Sequence, residues 1–134
     1  MKGVALRSFP MLSVDDLGRS LEFYRELLGF NEAYRFPEGD DAVFVTLTAG
    51  RSEIGLGQLG PGPALHGQAQ RPASGHRIEL CVYVDDVDTT VDRARKAGVR
   101  VVLEPAQQPW GERVAYVEDP DGNLVMLTQE SPAA

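Results

Sequence analysis

Apolar residues recur at helical spacing in two stretches of this chain. Both stretches follow the same short signature, Val14-Asp15-Asp16-Leu17 or Val84-Asp85-Asp86-Val87, and both end at a glycine, Gly29 or Gly98. Aspartate before the first apolar residue and glycine after the last one are typical helix caps. Apolar side chains at this spacing form one stripe of a helix, which packs against a core. The pattern therefore predicts two amphipathic helices.

Shorter apolar segments with strand-like alternation surround each helix. One extended segment precedes each helix, and three more follow it. In the first half they cover 9–14, about 32–36, about 42–48 and about 53–59, and in the second 78–84, about 99–104, about 113–118 and about 123–129. Each half reads βαβββ, and the halves are offset by about 70 residues, which is an internal repeat. The predicted fold class is α+β, built from two βαβββ modules.

The segment between the halves differs in composition from both of them. Residues 60–75 read GPGPALHGQAQRPASG, with no periodicity, which predicts a linker loop that includes His66. The first module then covers 1–59 and the second module covers 76–134, together forming one domain. A four-stranded sheet with its helix on one face leaves the other face bare. Two such sheets can cover each other, within one chain or across a homodimer, and line a concave space.

Charge and cysteine content narrow the function classes. The 134 residues carry a net charge of −7, which disfavours binding to nucleic-acid phosphates. The same charge attracts cationic small molecules, or it only aids solubility. Cys81 is the single cysteine, and no secretory segment or membrane-length apolar run is present, so we expect a cytoplasmic protein.

Most of the paired acidic residues have structural explanations. Asp15, Asp16, Asp85 and Asp86 stand at helix starts, where carboxylates cap free amides and complement the helix dipole. The sequence Asp119-Pro120-Asp121-Gly122 is typical of a tight turn between two strands. We expect these residues to shape the fold rather than to carry chemistry.

The repeated halves, together with VDDLGRSLEFYRELLGF and WGERVAYVEDPDGN, resemble the vicinal oxygen chelate superfamily. That superfamily includes glyoxalase I, extradiol dioxygenases, fosfomycin-modifying enzymes and bleomycin-resistance proteins. The resemblance covers nearly the whole chain outside the linker, and it implies paired glyoxalase-like repeats assembled as a homodimer. It is specific for the fold and weak for function, because the scaffold serves unrelated tasks.

The resemblance also implies where metal ligands would lie. Metal-dependent members place histidines and glutamates on the first and last strands of each half, where they bind Zn, Ni, Fe or Mn. In this chain those positions fall at Phe9, Gly55, Glu79 and Met126. Only Glu79 offers a hard donor, so the implied metal site is absent and no cofactor is expected. A two-residue shift in the last strand of the first half would put Glu53 on the same face, giving a Glu53/Glu79 pair.

Glu79 is the most informative candidate for a ligand site. It alternates with apolar neighbours, so we expect it to face the concave space as a partly desolvated carboxylate. It would anchor a cationic ligand or act as a base, unless Arg77 or Arg113 neutralises it in a salt bridge or it is simply exposed at the edge of a dimer. Trp110, between Pro109 and Gly111, is a lid over the pocket or a plug at the domain edge.

The first hypothesis is a metal-free binding protein of the bleomycin-resistance type, which sequesters a cationic or aromatic small molecule such as an antibiotic. Its ligand contacts would be Phe9, Met11, Glu79, Trp110 and Met126. The alternative is a lyase, isomerase or oxygenase with displaced metal ligands or with Glu79 as base. A third possibility is a scaffold whose concavity is filled by its own side chains. Nucleic-acid and membrane partners are not expected.

Overall fold

The computed structural model describes residues 6–61, 65–72 and 74–130. The chain divides into two compact units, Met1–Gln70 and Arg71–Ala134, and the division falls inside the predicted linker. Residues 62–64 and 73 of that linker lie outside the described residues. No helix among the described residues is long and apolar enough to cross a membrane.

The first module has the predicted βαβββ order. Its elements are β1 (Met11–Val14), α1 (Leu17–Leu21) continued by a π-helical segment (Glu22–Leu27), β2 (Asn31–Phe36), β3 (Phe44–Ala49) and β4 (Ser52–Gln58). They form one four-stranded sheet in the order β1-β4-β3-β2. Strand β1 is parallel to β4, and the other pairs are antiparallel. The first strand begins at Met11, two residues later than the alternation predicts.

The second module repeats this topology. Its elements are β5 (Leu80–Tyr83), α2 (Val87–Lys96), β6 (Val101–Gln107), β7 (Arg113–Glu118) and β8 (Leu124–Gln129). The sheet order is β5-β8-β7-β6, with β5 parallel to β8 and the remaining pairs antiparallel. The predicted α+β fold of two βαβββ modules is confirmed.

The two helices begin in the same way. Asp16 accepts a hydrogen bond from Arg19 N at 3.2 Å, and Asp86 accepts one from Thr89 N at 3.0 Å. These are the N-caps that the repeated signature predicts, because each carboxylate satisfies an amide that the helix leaves unpaired. The structural role assigned to both residues is confirmed.

A glutamine at the end of the last strand supports each helix start. The side-chain oxygen of Gln58 accepts from Leu17 N at 2.7 Å, and that of Gln129 accepts from Val87 N at 2.7 Å. The strand that ends each module therefore holds the first amide of that module's helix. Nothing in the hydrophobic pattern marks these two glutamines.

The helices end differently, because the first one contains one residue more. The closing hydrogen bonds of the first helix run from Leu28 N to Phe23 O, Gly29 N to Arg25 O and Phe30 N to Tyr24 O. Those of the second run from Ala97 N to Arg93 O, Gly98 N to Arg95 O and Val99 N to Ala94 O. Each bond in the first set spans one residue more than its counterpart. The π-helical segment absorbs this residue, which lies between Arg25 and Leu28.

Each helix covers one face of its own sheet. The apolar residues of that face and of the helix that covers it are buried: Val45, Leu47, Leu56, Leu17, Leu21 and Tyr24 in the first module, and Ala115, Val117, Val125, Leu127, Val87, Val91 and Ala94 in the second. We call the opposite side of each sheet its open face. It carries the alternate residues of each strand, including Met11 and the buried Thr46 in the first module and Met126 and Tyr116 in the second.

The turn before β8 fixes the register of that strand. One carboxylate oxygen of Asp119 accepts from the amides of Asp121 and Asn123 at 2.9 and 2.8 Å, and the other accepts from the Asn123 side chain at 2.9 Å. Gly122 adopts φ 83°, a left-handed conformation that glycine tolerates best. The predicted turn role of Asp119 is confirmed, and the turn delivers Met126 to the open face.

Candidate functional site

The open face of the first module is apolar where metal-dependent relatives would place ligands. Gly55 pairs with Met11 of β1, and its amide donates to Pro10 O at 2.8 Å. A Cβ added at Gly55 would lie 2.9 Å from Phe9 Cε2, 3.1 Å from Met11 Sδ and 3.1 Å from Phe44 Cε1. The Phe9 ring therefore lies over Gly55, and the two positions together offer a packed hydrocarbon surface.

Glu53 shares this face with Gly55, because the two are separated by one residue of β4. Its carboxylate oxygen Oε1 receives hydrogen bonds from Arg7 Nε at 2.9 Å and Arg7 Nη2 at 2.5 Å. The Arg7 guanidinium also lies over the Phe9 ring, with Cζ 5.3 Å from the ring centroid, which is cation–π distance. The alternative between Glu53 and Gly55 is thus resolved, because both lie on the open face and Glu53 already holds a cation.

Aromatic rings extend this face towards β2. Tyr34 and Phe44 are neighbours, with ring centroids 6.1 Å apart, and Phe36 pairs with Phe44 across the strands. Phe44 pairs with Gly57 in the neighbouring strand β4. Because Gly57 has no side chain, the surface is lower there than at the larger side chains around it. Tyr34 and Phe36 are each more than half exposed, so the first module presents an aromatic surface.

The open face of the second module is polar at the corresponding place. Cys81 of β5 pairs with Met126 of β8, and Met126 pairs with Tyr116 of β7, so the three side chains form a row across the sheet. Glu79 precedes Cys81 by two residues and joins the same face. The Tyr116 hydroxyl donates to Glu79 Oε1 at 2.6 Å. A carboxylate, a phenol, a thiol and a thioether are thus collected on one sheet.

The hydrogen bond to Glu79 keeps the phenol protonated. It raises the pKa of Tyr116 to about 12, with burial and the negative charge of Glu79 as further causes. Partial desolvation by its neighbours, followed by the charge of Glu79, also raises the pKa of the Cys81 thiol. Tyr116 and Cys81 are therefore neutral at physiological pH, and the thiol is a poor nucleophile because the thiolate is the reactive form.

Trp110 belongs to a second polar group on this module. Its indole Nε1 donates to Glu112 Oε1 at 2.9 Å, and the Tyr83 hydroxyl donates to Glu112 Oε2 at 2.8 Å. The hydrogen bond to Glu112 is the largest cause of a raised pKa for Tyr83. Glu112 holds both rings by their polar edges, and 62% of Trp110 is exposed. The indole is therefore oriented by a hydrogen bond and keeps a ring surface available for contact.

In the single chain the structure distinguishes between the alternatives for Glu79. Its side chain is exposed, and so is Cys81 on the same face. The expected neutralising partner Arg113 binds Asp88 instead, at 2.6 and 2.9 Å. Glu79 is exposed because it lies just before β5, which is the edge strand of the sheet. Among the described residues, the side chain that hydrogen-bonds to it is Tyr116.

The available donors do not fit a hard divalent metal ion. Among residues 6–61, 65–72 and 74–130, no three His, Cys, Asp or Glu side chains come together in a way that could hold a metal. At the four positions implied by the resemblance, Phe9 and Gly55 have no side-chain donor, and Met126 offers a soft thioether. Glu79 is the remaining donor, and Tyr116 already occupies one of its oxygens.

The predicted ligand contacts are divided between the two modules. Phe9 and Met11 contact the Gly55 position on the first module, whereas Glu79 and Met126 share the open face of the second. Trp110 lies in the turn between β6 and β7, next to Glu112.

Sequence reasoning missed the groups that bind these residues: Arg7, Glu112 and Tyr116. Tyr116 was findable, since it alternates with buried residues on β7 and pairs with Met126 once the turn at Asp119 sets the register. Arg7 and Glu112 had no comparable signal in the pattern.

Comparison with known proteins gives a consistent result. A profile of the Glyoxalase/Bleomycin resistance protein/Dioxygenase superfamily matches residues 8–127. A "Probable lactoylglutathione lyase" of Synechocystis sp. is 32% identical over 124 residues, covering 90% of this chain and 92% of that protein. The crystal structure of TioX from Micromonospora sp. ML1 has a TM-score of 0.69 at 25% identity, covering 92% of this chain and 98% of that one. Lactoylglutathione lyase from Agrobacterium tumefaciens shares the fold, with a TM-score of 0.63 at 24% identity over 93% of this chain and 94% of that one.

Proposed function

Because the chain belongs to the glyoxalase/bleomycin resistance/dioxygenase superfamily, we propose that it is a metal-free small-molecule-binding protein of the bleomycin-resistance type. In this proposal it sequesters a cationic or aromatic compound, such as an antibiotic, in the cytoplasm. The proposed contacts are Phe9, Met11, Glu79, Trp110 and Met126.

One observation carries the proposal. The Phe9 ring lies over Gly55, with its Cε2 atom 2.9 Å from the place where a Cβ of residue 55 would stand. Two positions that metal-dependent members use for ligands have thus become one apolar surface, which Met11 and Phe44 complete. Such a surface binds the hydrophobic body of a ligand, and it provides nothing that would coordinate a metal.

The remaining groups suit a ligand with an aromatic body and a positive charge. Tyr34, Phe36 and Trp110 expose ring surface, on which planar compounds stack and cations are attracted. Glu79 supplies a negative charge, and the net charge of −7 raises the local concentration of cationic compounds. These features support binding without requiring a chemical step.

A thermal-shift screen tests the binding directly. Cationic glycopeptides and planar aromatic cations should raise the melting temperature in a concentration-dependent way, since a ligand that binds only the folded state stabilises it by mass action. Planar aromatic anions of the same size serve as matched controls. If no cationic or aromatic compound shifts the transition at high concentration, the binding function is wrong.

Metal analysis tests the other half of the proposal. After dialysis, the purified protein should contain no stoichiometric Zn, Ni, Fe or Mn, and a chelator should leave its ligand affinity unchanged. A divalent ion retained at one per chain would contradict the inference that Phe9, Gly55 and Met126 leave no metal site.

The names of two relatives favour an enzymatic alternative. Proteins of Synechocystis sp. and Vibrio parahaemolyticus, at 32% and 29% identity, are each called "Probable lactoylglutathione lyase". In this alternative the chain is a lyase, isomerase or oxygenase, with displaced metal ligands or with Glu79 as base. A lactoylglutathione lyase assay with added Ni²⁺, Zn²⁺, Fe²⁺ or Mn²⁺ separates the two. Turnover that Glu79→Gln abolishes would favour the enzyme, whereas turnover at the background rate favours the binding protein.

We also propose that the functional form is a homodimer. Each module's open face carries exposed large apolar residues, including Met11, Tyr34 and Phe36 in the first and Tyr83 in the second. Exposed apolar surface of this kind is typical of association sites. Sedimentation equilibrium checks the proposal, and a monomer at all accessible concentrations would contradict it.

A further inference from the structure

Around Glu79 the second module presents hydrogen-bond acceptors. The Tyr116 hydroxyl has one hydrogen, which it donates to Glu79 Oε1 at 2.6 Å, so towards a ligand its oxygen can only accept. Glu79 Oε2 makes no hydrogen bond to any residue in the described part of the chain, and it is a second acceptor. The Met126 thioether is a weak acceptor on the same face, and the Cys81 thiol is only a weak donor. A ligand group that binds here must therefore supply the hydrogens.

The module's own arginines leave this position unneutralised. Arg95, Arg100 and Arg113 form ion pairs with Glu104, Glu118 and Asp88, away from Glu79. Arg77, two residues before Glu79, makes no ion pair with any described residue. Glu79 is exposed, so its charge remains available to a cation from outside.

The first module shows what such a position binds when a cation is within reach. Arg7 is offset from Arg77 by the length of the repeat, and its guanidinium donates twice to Glu53 Oε1 while lying over the Phe9 ring. A planar cation with several N–H groups thus fits between a carboxylate and an aromatic ring on an open face of this fold. In the second module, Leu124 takes the place of Glu53 on the last strand, so Arg77 has no equivalent partner there.

From these observations we infer that Glu79 and Tyr116 together bind an amidinium or guanidinium group of the ligand. One N–H of that group donates to Glu79 Oε2, and a second donates to the Tyr116 oxygen, in the two-pronged manner that planar cations favour. Glu79 supplies the charge, and Tyr116 positions it and adds the second acceptor. This inference rests on the proposed binding function, and it specifies the chemical class of the charged end of the ligand.

Three compounds with the same ring test the inference. Benzamidine, benzamide and benzoate carry a cationic, a neutral and an anionic group on one phenyl ring, and their affinities can be measured by NMR titration. Benzamidine should bind at least about tenfold more tightly than benzamide. Benzamide has a carbonyl oxygen in place of one N–H group of benzamidine, so it loses one hydrogen bond to an acceptor of the site or is repelled by that acceptor. Benzoate, which offers only acceptors at pH 7, should not bind measurably.

Substitutions test whether benzamidine binds at Glu79 and Tyr116. Glu79→Gln should weaken benzamidine binding by about tenfold or more, and Tyr116→Phe by about fivefold, since each removes one acceptor of the cation. Tyr83→Phe is the matched control for Tyr116→Phe, because it also loses a hydroxyl bonded to a glutamate on the same module. Glu104→Gln is the charge control for Glu79→Gln. Both controls should bind as the wild type does, and circular dichroism verifies that all four variants are folded.

The outcomes separate this inference from the proposed function. If benzamide or benzoate binds as well as benzamidine, or if Glu104→Gln weakens binding as much as Glu79→Gln, the amidinium site is wrong. The binding function stands in that case, provided that planar aromatic compounds still stabilise the protein. If none of the three probes binds and no aromatic or cationic compound shifts the melting temperature, both are wrong. Should Glu79→Gln fail to fold, Tyr116→Phe against Tyr83→Phe decides the question alone.

Discussion

The two modules share a framework and differ in what they display on it. Asp16 and Asp86 cap the helices in the same way, and Gln58 and Gln129 hold the first helical amide at the same distance, 2.7 Å. On the open faces, however, the first module has Phe9 packed over a glycine where the second has a carboxylate bonded to a tyrosine. Residues that hold the strands and helix together are thus repeated, whereas residues that would meet a ligand are not.

This division has a physical cause. A cap or a strand-end glutamine satisfies backbone groups that every copy of the βαβββ unit leaves unpaired, so each copy needs it. The open-face pairs Arg7–Glu53 and Tyr116–Glu79 join side chains to side chains and satisfy none of these backbone groups, so they can change without unfolding the module. The first module uses its face for an aromatic surface and an internal cation, Arg7. The second keeps a negative charge at Glu79 that no ion pair with a described residue compensates.

The largest expected effect concerns the helices, where the first carries a residue that the second lacks. Deleting Glu26 should convert the π-helical segment into a regular helix end, since the closing hydrogen bonds would then match those of the second module. Deleting Asp92 instead should move Val87 and Val91 out of register with Ala94, all of which are buried. We expect the Asp92 deletion to cost about 3 kcal/mol or more of the free energy of unfolding, as lost core packing does.

Urea unfolding, followed by far-ultraviolet circular dichroism, measures both deletions. The Glu26 deletion should retain a cooperative transition near that of the wild type, because Glu26 is exposed and contributes one surface ion pair. If the two deletions destabilise the protein equally, the extra residue is not the cause of the π-helical segment.

A smaller effect is expected on the open face of the first module. Gly55→Ala should cost about 1 kcal/mol, because the new methyl group would press against the Phe9 ring and the Met11 thioether. Gly57→Ala, two residues along the same strand, is the matched control. There the nearest atom, Met11 Sδ, lies 3.7 Å away, so the methyl group fits and reduced freedom of the unfolded chain should stabilise the protein slightly.

The same urea experiment compares these two variants. An unfolding free energy that falls for Gly55→Ala and is unchanged or raised for Gly57→Ala would support the packing of Phe9 on residue 55. Equal effects would show that the ring moves aside without cost, and the apolar surface in the first module would then be loosely defined.

The sequence predicted the helices, caps and turns better than the contacts on the open faces. The reason is that the former depend on neighbouring residues, whereas the latter join residues that are far apart along the chain. The repeated Val-Asp-Asp signature and the closing glycines are local signals, so both helices and their caps were predicted correctly. The turn at Asp119 was also local, and it was sufficient to put Met126 on the open face. The π-helical segment was not predicted, because the apolar stripe of the first helix fits an ordinary helix as well.

The contacts on the open faces depend on pairings between distant residues. Tyr116 reaches Glu79 across 37 residues, and Arg7 reaches Glu53 across 46. The first contact requires β5, β8 and β7 in the correct register, and the second requires β1 and β4. An error of one residue in any of these pairings would turn the side chains of that strand to the other face. The side chains could therefore be assigned to candidate positions, while their partners, and the exposure of Glu79, could not be derived from the pattern.

The smallest expected effect separates the two strand-end glutamines, which are otherwise equivalent. Gln58 accepts from Leu17 N, and its amide also donates to the carbonyl oxygen of Asp15 at 2.6 Å and that of Leu59 at 3.2 Å. Gln58→Glu would keep the acceptor but remove these donors and set a carboxylate against carbonyl oxygens. We expect it to cost about 1 kcal/mol in the free energy of unfolding.

Gln129 differs because the bond from Val87 N is the one hydrogen bond that its side chain makes with the described residues. Gln129→Glu keeps that bond and places a negative charge at a helix N-terminus, where it is favourable, so its cost should stay below about 0.5 kcal/mol. Repulsion from the capping aspartates acts on both variants and cancels in the comparison. Urea unfolding can follow the second module by the fluorescence of Trp110, the single tryptophan. Equal costs for the two variants would mean that the amide donors of Gln58 add no stability, and the first module's helix would then be held by the acceptor alone, as the second one is.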